Sequence, residues 1–348
     1  MTHKVDVAPA LIAWHARHGR HDLPWQPDPT SYRVWISEIM LQQTQVATVL
    51  GYFGRFMARF PDLQTLAAAP LDEVLHLWSG LGYYSRARNL HRAAQIVVAE
   101  HGGDLPADAA TLTTLPGIGR STAAAIRALS AGERVAILDG NVRRVLARYF
   151  VVTGVTTQRA VQQRLWDFAE ACTPERDVAV YTQAIMDLGA TVCVRRRPLC
   201  PRCPLQRGCG AHRSGRQHEI PAARPRTVRR TRSVVMLFAL QENGSVLLER
   251  RAERGVWGGL WCPPQFPSVE AARLFAATRL RAAEVEPHSR TILRHAFTHF
   301  ELEISPLLAR CTGWNGVLDG LPVLWYNPAS PERLGLPAPV TALIQSLS

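Results

Sequence analysis

Along residues 7–192 apolar side chains recur at three- and four-residue spacing, with few alternating or β-branched runs, and this pattern predicts a string of amphipathic helices. Pro24, Pro61, Pro70, Pro106 and Pro116 fall at the breaks, where a fixed φ and a missing N–H suit a helix start or a loop. Over 193–210 the periodicity gives way to a short loop of Cys, Pro and Arg, and 221–232 (Pro-Ala-Ala-Arg-Pro-Arg-Thr-Val-Arg-Arg-Thr-Arg) reads as an exposed connector. Beyond it the texture changes. Residues 233–240, a polar turn at 241–244 and residues 245–249 predict a β-hairpin, 291–308 and 321–326 predict further strands, and 271–283 predicts a helix. The expected organisation is a mainly α part over 1–222, a basic linker over 223–232 and a small α/β domain over 233–348.

Composition adds location and partner. The 348 residues are 47% hydrophobic, enough for two cores, and no apolar run approaches the roughly 20 residues that span a membrane. The first residues lack a charged-then-apolar leader pattern, so the expectation is a cytoplasmic protein that does not engage a membrane. The net charge of +12 is uneven. Residues 1–222 hold 25 basic against 18 acidic side chains, 223–232 add five arginines and no acid, and 233–348 hold 10 of each. The excess therefore sits where a polyanion would bind. Of the 40 basic residues only Lys4 is a lysine, which leaves little room for Schiff-base chemistry.

One stretch suggests what the polyanion is. Leu115-Pro116-Gly117-Ile118-Gly119-Arg120-Ser121-Thr122 opens the helix-forming run 123–129. Glycines at 117 and 119 permit a tight turn and a close backbone approach, and the N–H groups at the start of the helix carry a partial positive charge that suits a phosphate. Asp139 follows in Leu138-Asp139-Gly140-Asn141-Val142, which would put a carboxylate near the same backbone. Together these segments resemble the helix-hairpin-helix base-excision DNA glycosylases.

Cys193, Cys200, Cys203 and Cys209 lie within 17 residues, and without a secretion signal such a cluster reads as metal binding. Four thiolates suit either a structural zinc ion or a 4Fe-4S cluster. Only one Cys-x2-Cys pair is present, whereas zinc sites commonly use two. The six-two-five spacing after a helix-hairpin-helix core resembles the iron–sulfur loop of the endonuclease III and adenine glycosylase branch, which implies one 4Fe-4S cluster. Arg195, Arg196, Arg197, Arg202 and Arg207 surround it and would meet phosphates.

Glu38 stands inside the mostly apolar run Val34-Trp35-Ile36-Ser37-Glu38-Ile39-Met40-Leu41, on one helical face with Leu41. An acid in apolar surroundings holds its proton to higher pH and can donate it. The continuation Gln42-Gln43-Thr44-Gln45, together with Leu77-Trp78-Ser79-Gly80-Leu81-Gly82-Tyr83-Tyr84-Ser85-Arg86, resembles the adenine DNA glycosylases that act on mismatches with guanine or 8-oxoguanine, the MutY family. That resemblance runs over essentially the whole chain. It implies that Glu38 protonates the purine, that Asp139 stabilises the sugar cation and that Asn141 orients Asp139. It implies that Trp25 and Leu41 line an adenine pocket, that Gln43 and Tyr83 wedge into the duplex beside Thr44, and that Gly117 and Gly119 hold the backbone. Ser121 stands where strand-cutting relatives carry their lysine, so base removal by water is expected. The implied partner is double-stranded DNA with an adenine opposite 8-oxoguanine or guanine, bound by a monomer.

In the last third, Gly255-Val256-Trp257-Gly258-Gly259-Leu260-Trp261 resembles the start of a Nudix domain, but no Gly-x5-Glu-x7-Arg-Glu-x2-Glu-Glu box follows, and Glu270 stands apart from Glu284 and Glu286. The implied role is to read a base, and Phe297, Thr298 and His299 resemble the family's Phe-Ser-His reading loop with one added methyl group. The competing readings are a thymine or uracil mismatch glycosylase on the same scaffold, a non-catalytic iron–sulfur DNA-binding protein, and a Nudix hydrolase fused to a DNA-binding module.

Overall fold

The computed structural model describes residues 7–223, 228–280, 282–287, 292–311 and 322–347. Residues 291 and 321, the starts of two expected strands, and 224–227 within the expected linker lie outside this set. The chain forms two compact units, one of Met1–Ala68 and Asn89–Pro225, the other of Ala69–Arg88 and Arg226–Ser348. Residues 69–88 thus join the C-terminal third, a division that the periodicity of 1–222 does not mark.

The helical series is α1 (Val7–His18), α2 (Ser31–Leu41), α3 (Val46–Arg59), α4 (Leu63–Ala68), α5 (Leu71–Leu77), α6 (Ser85–Glu100), α7 (Ala109–Leu112), α8 (Arg120–Ala131), α9 (Gly140–Tyr149), α10 (Arg159–Cys172) and α11 (Val178–Thr191). Helices start and stop where local chemistry dictates. The Thr30 hydroxyl caps α2 by accepting from Arg33 N, and Gly132, at φ +65, closes α8 in the left-handed conformation that glycine tolerates best. The apolar spacing sets the core of the first unit: Val142, Val145 and Leu146 of α9 pack with Leu165 of α10 and with Tyr181, Ile185 and Leu188 of α11. The cysteine loop contains two 3-10 turns, Cys200–Arg202 and Gln206–Gly208, and ends in α12 (Gly210–Arg213).

The second unit is built on a mixed sheet of β1 (Arg230–Leu240), β2 (Val246–Arg250), β3 (Trp261–Cys262), β4 (Gln265–Phe266), β5 (Ala282–Pro287), β6 (Leu293–Ala296), β7 (Phe300–Cys311) and β8 (Val323–Tyr326). The predicted hairpin is β1–β2, closed at Leu240↔Val246. The long parallel pairing of β1 with β7, from Arg230↔Phe300 to Leu240↔Arg310, is not a local feature and no turn announces it. Two expectations change here. Residues 230–232, expected in the linker, already belong to β1, because each pairs with β7. The helix expected over 271–283 is α13 (Val269–Arg279), and 282–287 form β5 against β7, so sheet pairing overrides the helix preference of Ala282 and Ala283. Ala272, Ala276 and Leu280 then pack on Val235, Leu237 and Leu307. The chain ends in α14 (Ala338–Gln345).

Candidate active site

A cavity of about 990 Å3 in the first unit gathers Trp25, Glu38, Leu41, Gln43, Thr44, Ser121, Asp139 and Asn141. Five stretches far apart in sequence build it: residues 20–25, the last turn of α2 with the loop and the first residues of α3 after it, one face of α8, the start of α9 with the residues before it, and α11. Trp25 is buried, with its ring edge-on to Phe53. Gln43 is exposed and holds a left-handed backbone (φ +58), a strained state for a non-glycine residue.

The two carboxyl groups differ. Glu38 lines the cavity and is half-buried, and the desolvation of its carboxyl, reinforced by the charge of Asp139, pushes its pKa up to about 8. Asp139 is the N-cap of α9: its Oδ1 accepts from Asn141 N (3.0 Å) and Val142 N (2.7 Å), and its Oδ2 from Asn141 Nδ2 (3.1 Å). Burial raises its pKa too, against the pull of those N–H groups and of Arg144. Three donors aimed at Asp139 favour its anionic form, so the proton that the pair retains belongs on Glu38.

The turn before α8 uses its two glycines differently. Gly117 has φ +82, and a Cβ there would come within 3.0 Å of Asn89 Cβ. Gly119 has φ −94, which any residue adopts, and a Cβ there would meet nothing within 4 Å. Its bareness leaves room outside the chain, in front of the helix N–H groups. Ser121 Oγ accepts from Leu138 N at 3.2 Å and so ties the hairpin to the backbone just before Asp139.

Arg20, Arg143, Arg144 and Gln183 are among the lining residues that carry no sequence signature. Arg144 donates to Asn141 Oδ1 (2.8 Å), Gly189 O (2.6 Å) and Cys193 O (2.7 Å), and so joins the start of α9 to the cysteine loop. One turn on, the buried Arg148 donates to Cys193 Sγ (3.2 Å), Val194 O (2.9 Å), Arg195 O (3.0 Å) and Ile220 O (2.9 Å). The spacing of 141, 144 and 148 puts all three on one face of α9, a pattern visible only once their partners are known.

The four cysteines lie apart from the cavity. Cys193, Cys200 and Cys209 all act electrostatically on Cys203, so the thiols face a common space, yet among the described residues no three His, Cys, Asp or Glu side chains converge tightly enough for a single metal ion. Four thiol donors on one loop, with the Arg148 guanidinium on the Cys193 sulfur, fit the donor set of an iron–sulfur cluster. Arg195, Arg196 and Arg197 are exposed beside it.

In the second unit Phe297, Thr298 and His299 form the tip between β6 and β7, closed by Phe297 N donating to Phe300 O at 2.9 Å. Phe297 stacks on Phe300 and packs against Trp257 and His295, while Thr298 and His299 are exposed. Tyr83 lies in this unit too, left-handed (φ +49) and 45% exposed, with its hydroxyl 3.4 Å from Thr298 Oγ1. The first turn of α13 holds a single acid, Glu270.

Comparison with known proteins gives the class first. Residues 36–171 match the HhH-GPD superfamily base excision DNA repair protein model, and residues 235–346 match the NUDIX domain model. The solved structure of a thermostable thymine-DNA glycosylase superposes with a TM-score of 0.54 at 26% identity, over 60% of this chain and 95% of that one. The chain is 35% identical over 339 residues to the adenine DNA glycosylase of Buchnera aphidicola subsp. Acyrthosiphon pisum (strain APS), a match over 97% of this chain and 96% of the relative. It is 44% identical over 223 residues to the adenine DNA glycosylase of Homo sapiens, over 62% of this chain and 41% of that protein. The chain belongs to the adenine DNA glycosylase family, whose members remove adenine from DNA in base excision repair.

Proposed function

We propose that the chain hydrolyses the N-glycosidic bond of an adenine mispaired with 8-oxoguanine or guanine and leaves an abasic site. The observation that carries this reading is the unequal carboxyl pair in one cavity, Glu38 holding a proton and Asp139 held by three N–H donors. Adenine is a poor leaving group as an anion, so a proton must reach the base as the bond breaks. The base leaves the stack and enters the cavity. Glu38 gives its proton to N7 of the purine, the C1′–N9 bond breaks with its electron pair going to the base, and neutral adenine departs. The Asp139 carboxylate stabilises the cationic sugar. Water then attacks C1′ and returns a proton to Glu38. No Schiff base competes, because position 121 is serine and Lys4 is the chain's only lysine.

Cys193, Cys200, Cys203 and Cys209 would hold one 4Fe-4S cluster, whose part is to order the loop that presents Arg195, Arg196 and Arg197 to phosphates. Phe297, Thr298 and His299 read the base opposite the adenine, with the Thr298 hydroxyl as the polar group. Lone Glu270 on α13 supports a reader and not a pyrophosphate hydrolase. The enzyme works as a monomer on duplex DNA in the cytoplasm.

The test is a single-turnover assay on duplexes with A opposite 8-oxoguanine, G, C or T, and with G opposite T, comparing wild type with Glu38→Gln. Adenine released opposite 8-oxoguanine and G alone, and lost in the variant, is the expected result. Thymine release, or strand cleavage with borohydride trapping, would overturn it.

A further inference from the structure

Three arginines line the cavity that holds Glu38 and Asp139: Arg20, Arg143 and Arg144. Two of them are bound into the protein. Arg20 donates through Nε (2.9 Å) and Nη2 (2.6 Å) to Oδ1 of the buried Asp187. Arg144 donates through Nε to Cys193 O, through Nη1 to Gly140 O, and through Nη2 to Asn141 Oδ1 and Gly189 O. It is also a cation that acts on Asp139. Arg143 differs. Its half-buried side chain folds back to the start of α9, where Nη2 makes one bond of 3.3 Å to Leu138 O. Its Nε is buried without a hydrogen-bond partner among the described residues, and none of the ion pairs among them includes Arg143. Leu138 also donates its N–H to Ser121 Oγ at 3.2 Å, so Arg143 stands at the joint between the glycine hairpin and α9.

A guanidinium has five N–H donors and keeps its charge. Half-buried beside a cavity with one long bond, it calls for an anion. What the cavity receives narrows the choice. Adenine and deoxyribose are neutral, so the anions that an extruded nucleotide brings are the phosphodiesters on its two sides. A guanidinium suits them, because two of its N–H groups match two phosphate oxygens. We propose that Arg143 holds a phosphodiester flanking the extruded adenosine, and so anchors the strand while the base is inside. This contact is separate from those of Gly117, Gly119 and the arginines of the cysteine loop. The proposal rests on the reading that adenine occupies this cavity.

The experiment measures dissociation constants for duplexes with 2′-fluoro-2′-deoxyadenosine opposite 8-oxoguanine, where the fluorine disfavours the sugar cation and blocks turnover. One phosphate is made a neutral methylphosphonate: the one 5′ of the adenosine, the one 3′ of it, or a remote one. The proteins are wild type, Arg143→Met and Arg143→Lys, each checked for folding by circular dichroism. Arg143→Met should weaken binding of the unmodified duplex roughly tenfold and lower the salt slope by about one, while Arg143→Lys keeps the slope. One of the two flanking methylphosphonates should weaken the wild type roughly tenfold and Arg143→Met hardly at all. The remote one should affect both proteins alike. A merely structural role for Arg143 would make each flanking methylphosphonate cost the wild type and Arg143→Met the same factor, which overturns the proposal. So does an unchanged affinity and salt slope in Arg143→Met. Absence of any base release from an ordinary adenosine duplex by the wild type would instead overturn the functional reading, and this inference with it.

Discussion

Glu38→Gln tests the electrostatics of the cavity without any DNA. Burial and the neighbouring Asp139 move Glu38 from 4.5 to about 8. The sign is that of a carboxyl with a raised folded-state pKa. Its contribution to stability is fully present below about pH 4.5, is lost as pH rises, and is gone above about pH 8, because the unfolded chain releases the proton first. At about 1.4 kcal/mol per pH unit, that window amounts to on the order of 5 kcal/mol, and water in the open cavity lowers the realised value to roughly 2–5 kcal/mol. Glutamine keeps the shape of the protonated acid and has nothing to ionise. Glu38→Gln should therefore match the wild type near pH 5 and exceed it by roughly 2–5 kcal/mol near pH 8.5. Urea unfolding of both holoproteins across this range measures the difference. Single-turnover adenine release by the wild type should decline as pH passes about 8 and the donor proton is lost. A stability difference that does not change with pH would refute the reasoning, since an ordinary solvated glutamate produces none between about pH 6 and 9.

Three further outcomes follow from the geometry. Gly117→Ala, forced to φ +82 against Asn89, should lose about 1–3 kcal/mol in urea unfolding, whereas Gly119→Ala should stay within about 0.5 kcal/mol of wild type yet bind duplex DNA more weakly in a titration. Arg148→Met strips the donors from Cys193 Sγ and four carbonyls, and should cost on the order of 3 kcal/mol and, if the proposed cluster is bound, lower its visible absorbance in the purified protein. Thr298→Ala should narrow the rate preference for adenine opposite 8-oxoguanine over guanine several-fold while leaving Glu38-dependent chemistry in place, which paired single-turnover rates will check.

What was legible in the chain was whatever obeys a local rule. The three- and four-residue apolar spacing marked the helices, one acid inside such a run marked Glu38, and the stretch 138–142 marked Asp139 as a candidate carboxylate, while its part as the N-cap of α9 emerged only with the fold. The parallel pairing of β1 with β7 left no local trace, since its partners are about seventy residues apart, and the alanines of β5 pointed the other way. Arg20 and Asp187 were invisible for a like reason: they sit 167 positions apart, and nothing in the sequence near either says that one buried charge answers the other. The strained backbone at Gln43 and Tyr83 was equally silent, because neither residue type advertises a positive φ.

The division of the chain bears on how the protein is made. The unit that contains the Nudix-type sheet is completed by Ala69–Arg88, a segment that leaves the ribosome long before Arg226–Ser348. Its joints are specific: Trp261 Nε1 donates to Asp72 Oδ1 (3.1 Å), Arg333 Nη1 to Glu73 Oε1 (2.8 Å) and Tyr84 Oη to Leu336 O (3.2 Å), while His76 Nδ1 meets Leu334 O at 3.2 Å. During synthesis, α5 and the turn after it must wait for the last strands and loops to arrive. A fragment that stops at residue 225 would keep that segment but lose those four contacts, and loss of the C-terminal third would be felt inside the helical series as well as at the reading loop.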